Sequence, residues 1–176
     1  ENFIFAVPQC PENIMWSSYM EKIWPVTPDV MPAHGDCAEN RIAKAVYGLT
    51  MALAEQYSID RNRLYVTGTS MGGAGVYEML YRYPETYAAG LVGCAVSDPA
   101  DAAVLKNKPL YIMHGDADPV ISVEYSRRMT AALADAGAEF VYCEYPGKGH
   151  DFADGEDGEA IFGDAMRWIF RHTLHR

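Results

Sequence analysis

Apolar residues recur along this chain in two periods, and the alternation between them predicts its elements. Short runs dominated by β-branched and aromatic residues read as strands, and stretches with an apolar residue every three or four positions read as helices. The first run, Asn2–Val7, is continuously apolar from Phe3 and predicts a strand covered on both faces. Residues 8–35, with Pro11, Pro25, Pro28 and Pro32, predict a long loop. Asp36 has the position of an N-cap, with Glu39 three residues on in a capping-box pattern. The helix after it, to about Gln56, places Ile42, Ala45, Val46, Leu49 and Leu53 on one face. A second strand is predicted over Arg63–Thr67. The next helix carries Val76, Met79, Leu80 and Tyr83 at helical spacing, and Pro84 stops it. Strands at 89–96, 109–113 and 139–145 then alternate with helices at 122–136, closed by Gly137, and 158–172. Five strands in this rhythm predict an α/β domain with a mostly parallel sheet and helices on both faces. No repeat, low-complexity tract or linker divides residues 1–176, so they read as one domain.

The junction between the second strand and its helix reads Gly68-Thr69-Ser70-Met71-Gly72-Gly73. A G-x-S-x-G segment in that setting is a nucleophile elbow: the chain turns so tightly that the serine takes a strained conformation. Glycines at 68 and 72 are expected to relieve clashes, and Gly73 to allow close helix packing. Ser70 would then sit at a helix N-terminus, where developing negative charge is favoured and the Met71 amide can hold an oxyanion.

A serine needs a base, and the base an orienting acid. Both follow in the order Ser, Asp, His, each just past the carboxyl end of a predicted strand. His150 lies on a glycine-flanked loop after the last strand and is the expected base. Of the other histidines, His172 and His175 are expected to be solvated at the C-terminal end, His34 to lie on a loop surface, and His114 to hold the acid-bearing loop. Between two candidate acids, Asp118 is preferred: it precedes Pro119 and lies farther from the strand end, whereas Asp116 is expected to cap its own turn.

The run Ile59–Gly68 into Ser70-Met71-Gly72-Gly73 resembles small serine esterases of the α/β-hydrolase superfamily, in the phospholipase/carboxylesterase and polyhydroxybutyrate-depolymerase-like groups. Ala6-Val7-Pro8-Gln9-Cys10-Pro11 followed by Trp16, Arg82-Tyr83-Pro84-Glu85, His114–Val120 and Tyr145-Pro146-Gly147 through Gly149-His150 extend the resemblance over nearly the whole chain. It implies an α/β-hydrolase fold, a Ser70–His150–Asp118 triad, ester cleavage and no cofactor. Such enzymes carry an earlier strand ending in a His-Gly-rich loop that supplies the second oxyanion amide, and no such segment precedes Asn2 here. The expectation is a C-terminal portion of the catalytic domain, completed by an upstream segment or a second chain. Trp16, Trp24 and Thr69 are candidate substrate-lining residues, although the tryptophan-bearing loop could equally pack over the sheet edge. The twelve-residue connection 97–108 is too short for a cap domain, so the site should admit bulky or polymer-attached esters as well as small ones.

Charge narrows the partners. Fourteen basic against 24 acidic residues give a formal charge of −10, which argues against nucleic acid and disfavours strongly anionic substrates. No run of eighteen apolar residues offers a membrane span. The four cysteines have no zinc-site spacing; Cys94 and Cys143 fall in predicted strands as buried thiols, while Cys10 and Cys37 bracket the long loop and could pair. Competing readings are a serine peptidase of the prolyl-oligopeptidase type and a hydrolase-like binding module without turnover.

Overall fold

The computed structural model describes residues 3–25, 33–38, 41–155 and 157–174. Four strands form one parallel sheet in sequential order: β1 (Tyr65–Thr69), β2 (Ala89–Gly93), β3 (Leu110–Gly115) and β4 (Phe140–Tyr145). The register places Thr69 beside Gly93, and His114 and Gly115 beside Glu144 and Tyr145. Strand ends therefore lie side by side, and the loops leaving them share one edge of the sheet. Helices α1 (Ser18–Ile23), α2 (Arg41–Gln56), α3 (Met71–Arg82), α4 (Ala102–Leu105), α5 (Glu124–Asp135) and α6 (Gly158–Ile169) complete the elements.

Strand side chains alternate between two apolar layers, as a pleated sheet requires. Val92, Leu110, Ile112, Phe140 and Tyr142 pack with Val76, Met79 and Leu80 of α3 and Met129 and Leu133 of α5. Leu91, Tyr111, Met113, Val141 and Cys143 pack on the opposite face with Ala165 and Ile169 of α6. Burying such strands on both faces selects near-continuous apolar sequences, and all of β2 and β3 is buried. The expected α/β sandwich with helices on both faces is present.

Several boundaries differ from expectation. Residues 3–7 form no strand; Phe5 is 65% and Val7 76% exposed, because no neighbouring strand offers them a ladder. The sheet accordingly has four strands among the described residues rather than five. Residues 61–63 make a 3₁₀ turn, capped by Asp60 accepting from the Asn62 amide, which delays β1 to Tyr65. The long loop contains α1, whose N-cap Ser17 accepts from the Met20 amide. Asp36 ends a 3₁₀ turn, His34–Asp36, and does not cap α2, which begins at Arg41. The 97–108 connection makes a third 3₁₀ turn, Pro99–Asp101, and the single turn α4, with no cap domain. Cys10, Cys37, Cys94 and Cys143 are free thiols, so Cys10 and Cys37 are unpaired. Asn2, Pro28, Pro32, Glu39 and His175 lie outside the described residues.

Candidate active site

Ser70 occupies the single residue between β1 and α3, with φ +55° and ψ −123°. This region is costly for a side-chain-bearing residue and persists only where its surroundings enforce it. The Ser70 amide donates to the Gly93 carbonyl at 2.8 Å, fastening the elbow to β2. Gly68 is obligatory, since a Cβ there would lie 2.3 Å from the Gly72 carbonyl oxygen. Gly73 is obligatory for the same steric reason, with Ala95 Cβ at 2.7 Å and Gly93 O at 2.8 Å from such an atom. A Cβ at Gly72 would meet nothing within 4 Å, so it is the Gly72 backbone, and not the absence of its side chain, that the turn uses. Met71 opens α3, which makes its amide one of the helix's N-terminal donors.

The loops after β3 and β4 bring the other two residues to this point. His150 Nε2 lies 2.8 Å from Ser70 Oγ, and His150 Nδ1 lies 2.7 Å from Asp118 Oδ2. A carboxylate only accepts, so Nδ1 carries the proton and Nε2 is left to accept from the hydroxyl. The buried Asp118 side chain also accepts on Oδ1 from the amides of Val120 at 2.8 Å and Ile121 at 3.0 Å. His114 holds this loop from below. Its Nε2 donates to the Ile121 carbonyl at 2.9 Å and faces Asp118 Oδ2 at 3.2 Å, while Nδ1 accepts from the Ser126 hydroxyl at 2.7 Å. Burial pulls the His114 imidazole below its ordinary pKa against the contrary pull of Ile121 and Asp118, in keeping with a neutral ring that donates from one nitrogen and accepts at the other.

The remaining predicted residues divide. Asp116 accepts from the Gly147 amide at 2.6 Å, so it ties the acid loop to the base loop instead of capping its own turn. The Cys94 thiol, pushed up to about 12 by burial, donates to the His150 carbonyl at 3.5 Å and supports the base from beneath. Cys94, Asp118 and His150 are the one group among the described residues with ligand atoms close enough to share a cation. Their polar atoms are already committed to the hydrogen bonds above and the thiol stays protonated, an arrangement suited to moving a proton. Ser97 is buried against Asp101 and Ser122 donates no proton to a histidine in the structure; Ser70 does. His172 is half-buried, its ring 4.3 Å from that of Trp168, and not solvated as expected. His34 is 1% exposed, the largest departure from a surface expectation.

Among the lining candidates, Thr69 is exposed at the end of β1, beside Ser70. Trp16 packs on the Gly75 face of α3, where a Cβ at Gly75 would lie 2.8 Å from its own. Trp24 is largely exposed. A cavity of about 670 Å³ does not have Ser70 in its lining; its walls are residues 3–8, Trp16, α2 and the turn after it, β1 and the Gly72–Met79 face of α3.

Comparison with known proteins places the chain among hydrolases. A monoacylglycerol lipase of Mycolicibacterium smegmatis is 33% identical over 92 residues, 52% of this chain and 31% of the lipase. The crystal structure of a thermostable esterase superposes with a TM-score of 0.75 at 30% identity, over 95% of this chain and 43% of the esterase. The chain thus spans less than half the length of either relative. A putative dipeptidyl aminopeptidase IV of Bacteroides ovatus (TM-score 0.68, 21% identity, 74% of this chain and 22% of that one) shares the fold. Residues 26–166 match the model of the Dienelactone hydrolase family, and over that span, which includes the elbow and both loops, the chain belongs to this family of the α/β-hydrolase superfamily.

Proposed function

We propose that this chain carries the catalytic machinery of a serine hydrolase that cleaves carboxylic esters through an acyl-enzyme. The observation behind this reading is the Ser70–His150–Asp118 relay, with its 2.8 and 2.7 Å contacts at a serine held in a strained turn. His150 Nε2 takes the Ser70 proton as Oγ attacks the ester carbonyl. Asp118 keeps Nδ1 protonated and stabilises the imidazolium. The Met71 amide donates to the oxyanion, and the loss of one such donor typically costs about 10²–10³ in rate. The imidazolium then returns its proton to the leaving alcohol, and water cleaves the acyl-enzyme by the same route. No cofactor enters this sequence. The monoacylglycerol lipase relative supports an ester substrate, and the short 97–108 connection with no cap supports an open site that admits bulky or polymer-attached esters.

The test is a screen of p-nitrophenyl esters of graded chain length, with aryl esters and peptide amides as controls, on the complete polypeptide. Ester turnover is expected to exceed amide turnover, and Ser70→Ala to lower it on the order of 10⁴-fold or more with the fold intact. An organophosphonate should label Ser70; labelling at Ser97 or Ser122 would overturn the assignment.

A further inference from the structure

Behind the elbow lies a second histidine centre that the proposed hydrolysis does not use. His34 Nδ1 is 2.7 Å from Asp101 Oδ2, and His34 Nε2 is 3.0 Å from Glu78 Oε2. The His34 amide donates to Asp98 Oδ2 at 2.9 Å. Histidine, Glu78 and Asp101 are all nearly fully buried. Glu78 further accepts from the Ser17 hydroxyl at 3.1 Å, the Ser18 amide at 3.2 Å and Arg82 Nε at 3.1 Å, and Asp101 Oδ2 accepts from the Ser97 hydroxyl at 2.8 Å. Two acceptor-only carboxylates face the two ring nitrogens, and a neutral imidazole can donate to only one of them. The other would meet a lone pair with a buried negative charge, a heavily penalised contact. The imidazolium satisfies both. With Arg82 it also balances the charges of Glu78 and Asp101, the two carboxylates that face its ring.

The centre joins four separate pieces of chain. His34 belongs to the 3₁₀ turn before α2, Ser17 and Ser18 to the start of α1, Glu78 and Arg82 to α3, and Asp98 and Asp101 to the connection after β2. The piece it fastens carries Met15, Tyr19, Met20 and Cys37 into an apolar cluster with Met71, whose amide is the oxyanion donor, and with Ile121, whose amide holds Asp118. We propose that His34 is a positioning residue: a buried imidazolium that clamps the start of α1 and the 34–36 turn against α3 and the acid loop, and whose deprotonation sets the alkaline limit of activity.

Electrostatics support this. Burial alone would pull the imidazole down, but the hydrogen bonds to Asp101 and Glu78 and their charges lift it to about 9. Glu78 is held below the ordinary glutamate value, burial being outweighed by the His34 bond and charge and then by Arg82. Facing the ring from other elements are Tyr81, stacked at 4.1 Å on α3, and Tyr19 of α1 at 5.6 Å. Burial raises the Tyr19 phenol above its ordinary value, as it does the Cys37 thiol beside the His34 turn. A histidine raised on folding contributes fully below its unfolded value, about 6.5, and loses that contribution as pH rises through its folded value. The clamp therefore weakens from pH 7 upward and is gone above 9.

The decisive variant is Asp101→Asn. Both side-chain bonds of Asp101 go to the same oxygen, so asparagine can keep them while removing the charge. The activity arm rests on the ester-cleaving reading and uses kcat/KM against pH on the complete polypeptide. In the native protein the profile should fall with a midpoint near pH 9; in Asp101→Asn that midpoint should move down by about one pH unit or more, mainly through KM. A second arm is independent of turnover: ¹⁵N NMR of the native protein should show both His34 nitrogens protonated at pH 7.5. An alkaline limb that does not move in Asp101→Asn, or a His34 ring neutral at pH 7.5, overturns the proposal. Absence of ester turnover at every pH would instead overturn the proposed function and leave the NMR result to decide this one.

Discussion

Two aspartates lie two positions apart on the loop after β3, and their oxygens meet different partners. Asp118 is buried and receives the His150 Nδ1 proton; Asp116 is exposed and receives one backbone amide. Asp118→Asn presents an amide that can force the wrong imidazole tautomer, so ester turnover should fall by about 10⁴. Asp116→Asn keeps an acceptor oxygen for Gly147 and should lose far less in the same assay; equal losses would refute the division of roles. Gly68→Ala should lower stability by about 1–3 kcal/mol or more, read from denaturant midpoints, because its methyl group would overlap the Gly72 backbone. These residues were legible from the chain because each sits in a short motif next to a strand end, where local geometry alone decides what it can reach. His34 was not. Its partners are 44, 64 and 67 residues away, and nothing local in Ala33-His34-Gly35 distinguishes a surface ring from the centre of a buried charge network.

Among the elements, α3 and α2 carry equally clear apolar stripes with different coverage. Residues 73–80 of α3 are all buried between the sheet, α1 and α4. On α2 only Ala43 and Ala54 are buried, and Leu49 remains 42% exposed. Leu80→Ala should therefore cost about 2–5 kcal/mol, whereas Leu49→Ala in this chain should stay within about 0.5 kcal/mol. Denaturant unfolding of the two variants side by side checks both. Periodicity revealed the stripes, since burial selects apolar residues at helical spacing. It did not reveal which stripe the 176 residues themselves cover, because coverage depends on neighbours rather than on the stripe. Residues 3–7 show the same gap: they have the composition of a strand, but a ladder needs a partner, and their composition carries no record of where that partner is.

At the scale of the whole molecule, these uncovered surfaces meet. Val46, Leu49 and Leu53 of α2, the apolar residues of segment 3–8 and the outer edge of β1 wall the same cavity of about 670 Å³. β1 pairs only with β2 among the described residues, so its other side presents unpaired backbone groups to that space. One extended apolar segment laid along β1 would pair those groups and cover the α2 stripe. Laid parallel to β1, it would leave the sheet at the edge that carries Ser70 and Met71, where a second oxyanion amide can act. The expectation is that such a segment, from the same polypeptide or another, completes the fold. The 176 residues alone should then bind a hydrophobic dye such as ANS, self-associate on a sizing column and turn over esters poorly. Polypeptide extended upstream of residue 1 should lose the dye signal and gain turnover together, since one insertion fills the groove and supplies the donor. If residues 1–176 prove monomeric, dye-silent and fully active, the groove is not a vacant strand position and the oxyanion site is complete without it.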